Sequence, residues 1–174
     1  TATGSSPESA HPEGSRPTST AHVTSRTSAV TAVRGWRKPA SQGQFGEALS
    51  MAKASGFDAE CASANAADLL QLSDVARYAG DPTLARRALL VLRQRFPSDS
   101  RSAAAAFVLG KLSFEHFASP REAVTWFDVC LSEQPSGGLA PEARGRRMEA
   151  LQALKDGRAK SAASEYLSRH PDGP

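Results

Sequence analysis

Leu84–Pro97 reads LARRALLVLRQRFP, and how this stretch is understood decides the fold. Ala85, Leu89 and Leu92 recur at helical spacing on one face, arginines take the other faces, and the run stops on a proline, where a helix cannot continue. Two further stretches show the same order when aligned backwards from a proline: Ala123, Phe127, Cys130 and Pro135, then Ala159, Ala163, Tyr166 and Pro171. The three prolines lie 38 and 36 residues apart. That interval is close to one helix-turn-helix repeat of about 34 residues.

A first helix is predicted ahead of each aligned one. Leu69, Leu72, Ser73 and Ala76 share one face in the first copy, and Ala106, Leu109, Gly110 and Ser113 do so in the second. The small side chains at Ser73 and Gly110 allow a neighbouring helix to approach closely. Helix ends are signalled independently. Asn65 stands three residues before Asp68 as an N-cap, and the run Gly80-Asp81-Pro82 supplies a terminating glycine, a cap and a proline for the first turn. Ser119-Pro120-Arg121-Glu122 reads as a capping box. No alternating β pattern occurs after residue 40, so the fold class is all-α.

These residues resemble the tetratricopeptide repeat family, whose first helix carries a large residue, Leu-Gly and an aromatic, and whose second carries Ala, an aromatic, Ala and Pro. The resemblance covers roughly 64–174 and implies a right-handed α-solenoid. The expected organisation is a disordered linker over 1–33 and a helical domain over 34–174. Within the domain fall a short pair at 36–60 and repeats at about 64–98, 99–136 and 138–172. The third copy departs from the pattern, because Arg144, Arg146 and Arg147 occupy turns where apolar residues are called for. It reads either as a regular repeat shifted by one residue or as a polar terminal repeat closing the stack.

Composition narrows the function. Hydrophobic residues make up 40% of the 174, enough for a core. Residues 1–40 carry five basic side chains against Glu8 and Glu13, which accounts for the whole net charge of +3 and leaves 16 residues of each sign in the remainder. A neutral domain of interspersed charge lacks the basic stripe that a phosphate backbone requires, so no nucleic-acid partner is expected. The first 33 residues are rich in Ser, Thr, Pro, Gly and Ala with no aromatic, a composition that cannot bury enough apolar surface to offset chain entropy. The chain opens on Thr, and no apolar run is long enough for a signal peptide or a span. Any anchor or targeting signal is therefore expected upstream.

Chemistry-bearing motifs are sparse. His11 and His22 fall in the linker, His170 adjoins Pro171, and His116 has no second histidine or cysteine at ligand spacing. Glu115 and His116 are adjacent and so point about 100° apart on a helix, the arrangement of a solvated surface more than of an acid-base pair. Neither a nucleophile elbow nor a phosphate-binding glycine loop is found. No catalytic residue, metal or cofactor is expected. Cys130 occupies the packing position of Leu92 and Tyr166, which favours a buried, inert thiol. Cys61 falls in the connection before the first full copy, and an oxidising compartment would permit a bridge between the two.

The resemblance implies a concave groove, lined by the first helices, that takes an extended or helical segment of a partner protein. Its groove positions map onto Leu70, Asp74 and Arg77, then Phe107, Lys111 and Phe114, then Arg144, Met148 and Leu151. Phe107 and Phe114 are expected there as exposed apolar anchors flanking Lys111. The Lys and Asn with which one branch of the family grips a C-terminal carboxylate are replaced by Leu70 and Asp74, which argues against that use. Ala/Arg-rich repeats ending in RFPSDS and RHPDGP look most like those of bacterial envelope proteins, among them outer-membrane assembly lipoproteins and the extracytoplasmic ends of anti-sigma-type regulators. The expected function is a non-catalytic interaction scaffold on the periplasmic side of a membrane-anchored protein. The alternatives are a cytoplasmic adaptor and a helical regulatory domain of a larger enzyme.

Overall fold

A computed structural model describes residues 35–169, and every regular element among them is a helix. The linker expected over 1–33 lies outside the described residues, as does the third repeat beyond Arg169. Three short helices, α1 (Arg37–Ser41), α2 (Phe45–Ala54) and α3 (Phe57–Ser63), precede three hairpins. These are α4 (Ala66–Tyr78) with α5 (Pro82–Arg95), α6 (Arg101–Glu115) with α7 (Pro120–Glu133), and α8 (Ala140–Ala153) with α9 (Arg158–Arg169). From α4 onward each helix packs on the next, and the first helices α4, α6 and α8 also touch in sequence. The result is a helical-repeat stack.

The amino-terminal part differs from expectation. Because α2 packs on α4 and α3 on α5, the α2–α3 pair takes the place of a preceding hairpin of reduced length. Cys61, expected in a connection, is instead buried within α3. Phe57, Glu60 and Cys61 form the buried face of this helix at i, i+3 and i+4, a pattern too short to stand out in the sequence. The Arg95 guanidinium covers its carboxyl end, donating from Nη1 to the carbonyls of Cys61 at 2.7 Å and Ala64 at 2.9 Å. Glu60 is buried yet satisfied: its carboxylate accepts from Trp36 Nε1 at 3.0 Å and Ser55 Oγ at 2.7 Å, tying α1 and the α2–α3 turn together.

The hairpin turns repeat even where their sequences do not. Gly80, Ala118 and Lys155 stand at corresponding places with φ of +81°, +47° and +54°. After each, an amide reaches back to the preceding helix: Asp81 to the Ala76 carbonyl at 2.8 Å, Ser119 to that of Ser113 at 2.8 Å, and Asp156 to that of Leu151 at 3.0 Å. Only the first copy has a glycine to adopt this conformation without steric cost. As expected, Asn65 and Asp81 cap α4 and α5 by accepting from the Asp68 and Leu84 amides. The capping box at Ser119 does not form, since the Ser119 hydroxyl makes no capping bond. Glu122 is drawn away by Arg86 at 2.7 Å and Trp126 Nε1 at 3.2 Å, charge-assisted partners that outcompete an amide.

Ala85, Leu89 and Leu92 are fully buried, as are Ala123, Phe127 and Cys130. In the third copy the most buried residue of α9 is Ala162, with Ala159, Ala163 and Tyr166 half-buried. Gly110 marks the tightest helix approach, because a Cβ at this position would lie 2.6 Å from Cε1 of Phe127. The expected outcomes are a loss of about 2–5 kcal/mol for Leu89→Ala, from lost burial and a cavity, and about 1–3 kcal/mol for Gly110→Ala, from overpacking. Urea unfolding checks both, and a Gly110→Ala variant as stable as the parent would show that the Phe127 ring moves aside freely.

Candidate functional site

Three of the nine sequence-predicted groove residues meet around one pocket. Arg77 of α4 and Phe107 and Lys111 of α6 line a cavity of about 160 Å³, together with Val108, Leu112, Glu115 and His116. Arg77 is held in place from two sides. Its Nη2 donates to Asp74 Oδ1 at 3.0 Å, and its guanidinium stands 4.3 Å from the centroid of the Tyr78 ring, which in turn stacks on Phe45 at 4.8 Å. Its Nε is buried and has no hydrogen-bond acceptor among the described residues. Lys111 Nζ stands 5.8 Å from the Phe107 ring centroid and 3.7 Å from Glu142 of α8. The pocket thus sets two cations beside an apolar floor, with Glu115 at its rim.

Phe107 is not the exposed anchor that its spacing predicts. It is buried, and its ring lies against that of Phe127 with centroids 5.9 Å apart and planes tilted by 52°. Gly110, one turn later on α6, leaves the room through which the Phe127 ring reaches across to cover it. Phe114 is half-buried and packs on the second core cluster, which also extends through Phe107 and Phe127. The two rings are therefore core and floor, with no protruding aromatic pair.

The remaining predicted residues lie off this pocket. Leu70 is half-buried against the first core cluster, and Asp74 serves as partner to Arg77. On α8, Leu151 is fully buried and Met148 packs on the second cluster, while the Arg144 guanidinium donates to the Pro135 carbonyl in the preceding turn. The residues that α8 turns toward α6 are Glu142 and Arg146. Arg146 stands 3.9 Å from Glu115 and 4.0 Å from Glu142, and pairs with Glu149 at 3.1 Å. Sequence reasoning missed this charged line. Its one signal was the arginine cluster at 144–147, noted only as a departure from apolar spacing.

Groups able to do chemistry are placed apart. Among the described residues no three His, Cys, Asp or Glu side chains gather as a metal-binding group, and His116 is exposed at the end of α6. Cys61 and Cys130 are free, buried, and members of different core clusters. Burial, followed by the Asp58 carboxylate, pushes the Cys61 thiol from an ordinary 9.0 up to about 11. Burial, then Glu133, likewise raises Cys130. No family model and no curated protein matches the chain.

A folded-state thiol value above the unfolded one means that the Cys61 contribution to stability is complete below the unfolded value. It is lost as pH rises from 9.0 toward 11. Since the thiolate is the nucleophile, Cys61 is expected to resist iodoacetamide at pH 8 in the native protein and to alkylate promptly in urea. Peptide mass mapping of the quenched reaction checks this, and rapid native labelling of Cys61 would show that α3 opens readily.

Proposed function

We propose that the chain is a non-catalytic scaffold that binds a segment of a partner protein along the face built by α4, α6 and α8. One observation carries the reading: the helical stack sets Arg77 and Lys111 together over the apolar floor of Phe107, Val108 and Leu112. A floor of this kind gains from covering by an apolar side chain, and the flanking cations orient what enters. The line from Lys111 through Glu142 and Arg146 to Glu115 extends the same face with alternating charge, which supports a partner of mixed sequence over a uniformly acidic one.

The placement proposed for this scaffold is the extracytoplasmic side of a membrane-anchored bacterial envelope or regulatory protein. It is supported by the Ser/Thr/Pro-rich composition of residues 1–33 and by the resemblance of the repeats to tetratricopeptide domains of that compartment. No helix of the described residues is long and apolar enough to cross a membrane, so anchoring would fall to a segment outside them.

Selection of peptides from a random display library tests the binding reading. Selected peptides are expected to lose at least about tenfold in affinity on an Arg77→Gln, Lys111→Gln double variant, and to keep it on Arg87→Gln, an exposed residue of α5 that pairs with Asp58 and does not line the pocket. Circular dichroism confirms that the variants are folded. Failure to select any peptide, or equal binding by both variants, overturns the proposal for this face.

A further inference from the structure

The first two hairpins are sealed together along their second helices by two ion pairs. Arg86 of α5 donates to Glu122 of α7 at 2.7 Å while its guanidinium lies 5.0 Å from the Phe117 ring centroid. Eleven residues from Glu122, Glu133 receives both Nη atoms of Arg93, at 2.7 and 3.1 Å. When the same positions are followed to the second and third hairpins, both pairs are gone and the charge is reversed. Val124 and Leu131 of α7 stand where the arginines stood, and Arg158 and Arg169 of α9 stand where the glutamates stood. In the turn, where Lys155 matches Ala118, Leu154 takes the place of Phe117.

At the site of the missing Arg86–Glu122 pair the structure holds an open notch of about 220 Å³. Val124 and Leu154 supply its apolar part and Arg121 and Arg158 its donors, while the Thr125 hydroxyl donates to the Arg121 carbonyl at 3.2 Å. Two acids also line it, but both are committed. Asp156 accepts from Nε and Nη2 of Arg158 at 3.0 and 2.8 Å, and Asp128 is paired with Arg147 from α8. Arg121 enters no close ion pair among the described residues, its charge acting on Asp156 from a greater distance, and Nη1 of Arg158 makes no hydrogen bond there. The first junction fills this space with a cation on a long stem facing a carboxylate. At the second, Arg158 is paired within its own turn to Asp156, and α7 presents Val124 where the first junction has its arginine.

We infer that the notch between α7 and the α8–α9 turn binds an oxyanion, held by Arg121 and Arg158 with its remainder over Val124 and Leu154. This surface is distinct from the α4–α6–α8 face, and the inference does not rest on the function proposed for that face. A carboxylate or phosphate-type group meets the Arg121 guanidinium and the remaining Nη1 of Arg158, the chemistry that charge-assisted hydrogen bonds favour. The source of the anion follows from its shape: an acidic side chain brings a methylene stem that covers the apolar floor, whereas free phosphate does not.

Amide NMR of the full chain, titrated with glutarate or with inorganic phosphate against chloride at fixed ionic strength, tests this. Saturable shifts are expected at Val124, Thr125 and residues 154–158. They should weaken at least about tenfold in Arg121→Gln, which removes a charge. They should weaken equally in Val124→Met, which fills the floor and keeps both guanidinium groups. Tighter glutarate assigns the notch to an acidic side chain of a partner, and tighter phosphate assigns it to a phosphoryl group. Shifts that rise linearly without saturating, that spread over arginines elsewhere on the surface, or that persist in Val124→Met overturn the inference.

Discussion

One side of the Phe127 ring, Cδ1, Cε1 and Cζ, fills the space that a side chain at Gly110 would need, and much of the centre of the molecule follows from that contact. With no side chain at residue 110, α6 and α7 close to a distance that any other residue would prevent, and the ring extends across α6 to Phe107. This removes Phe107 from solvent and makes it the floor of the pocket between Arg77 and Lys111. In the first hairpin the corresponding residues are Ser73 and Leu89, a larger side chain on the first helix and a smaller one on the second. The total volume at the crossing is conserved while its shape is not, a trade that close-packed interiors tolerate.

The second helices were legible from sequence because their burial depends on spacing alone. Ala85, Leu89 and Leu92, and their counterparts Ala123, Phe127 and Cys130, are buried as their helical period requires. Turns were legible only where chemistry and geometry coincide. Gly80 announces a left-handed residue, but Ala118 and Lys155 adopt the same conformation without any residue-type signal, because the surrounding hairpin imposes it. Helix α3 was hidden for a different reason: at seven residues it is too short for periodicity to separate it from a loop, and its position is fixed by Glu60 and Arg95, whose partners lie far away in sequence.

The candidate groove was harder still, since spacing along a helix predicts which residues share a face but not how far that face is rotated toward its neighbours. On α4 and α6 the projection placed Arg77, Phe107 and Lys111 around one cavity. On α8 the small residues Ala140, Ala143 and Ala150 set the buried face, and Leu151 is drawn in beside them. The charges that remain toward α6 are Glu142 and Arg146, recognisable only once Lys111 and Glu115 are known to stand opposite. Apolar periodicity orients a helix well when its faces contrast strongly, and α8 has little contrast between its faces.

The unequal sealing of the two hairpin junctions bears on how the molecule would come apart. In a stack where each unit touches only its neighbours, the probability that a terminal unit detaches is set by the coupling at one junction and not by the stability of the whole. Here α5 reaches in both directions, through Arg95 to α3 and through Arg86 and Arg93 to α7, whereas among the described residues no corresponding guanidinium of α7 pairs with α9. The last hairpin is held through its first helix instead: α8 packs along α7 and is tied by Arg147 to Asp128, by Glu142 to Lys111 and by Arg146 to Glu115, so its detachment would have to break those pairs together.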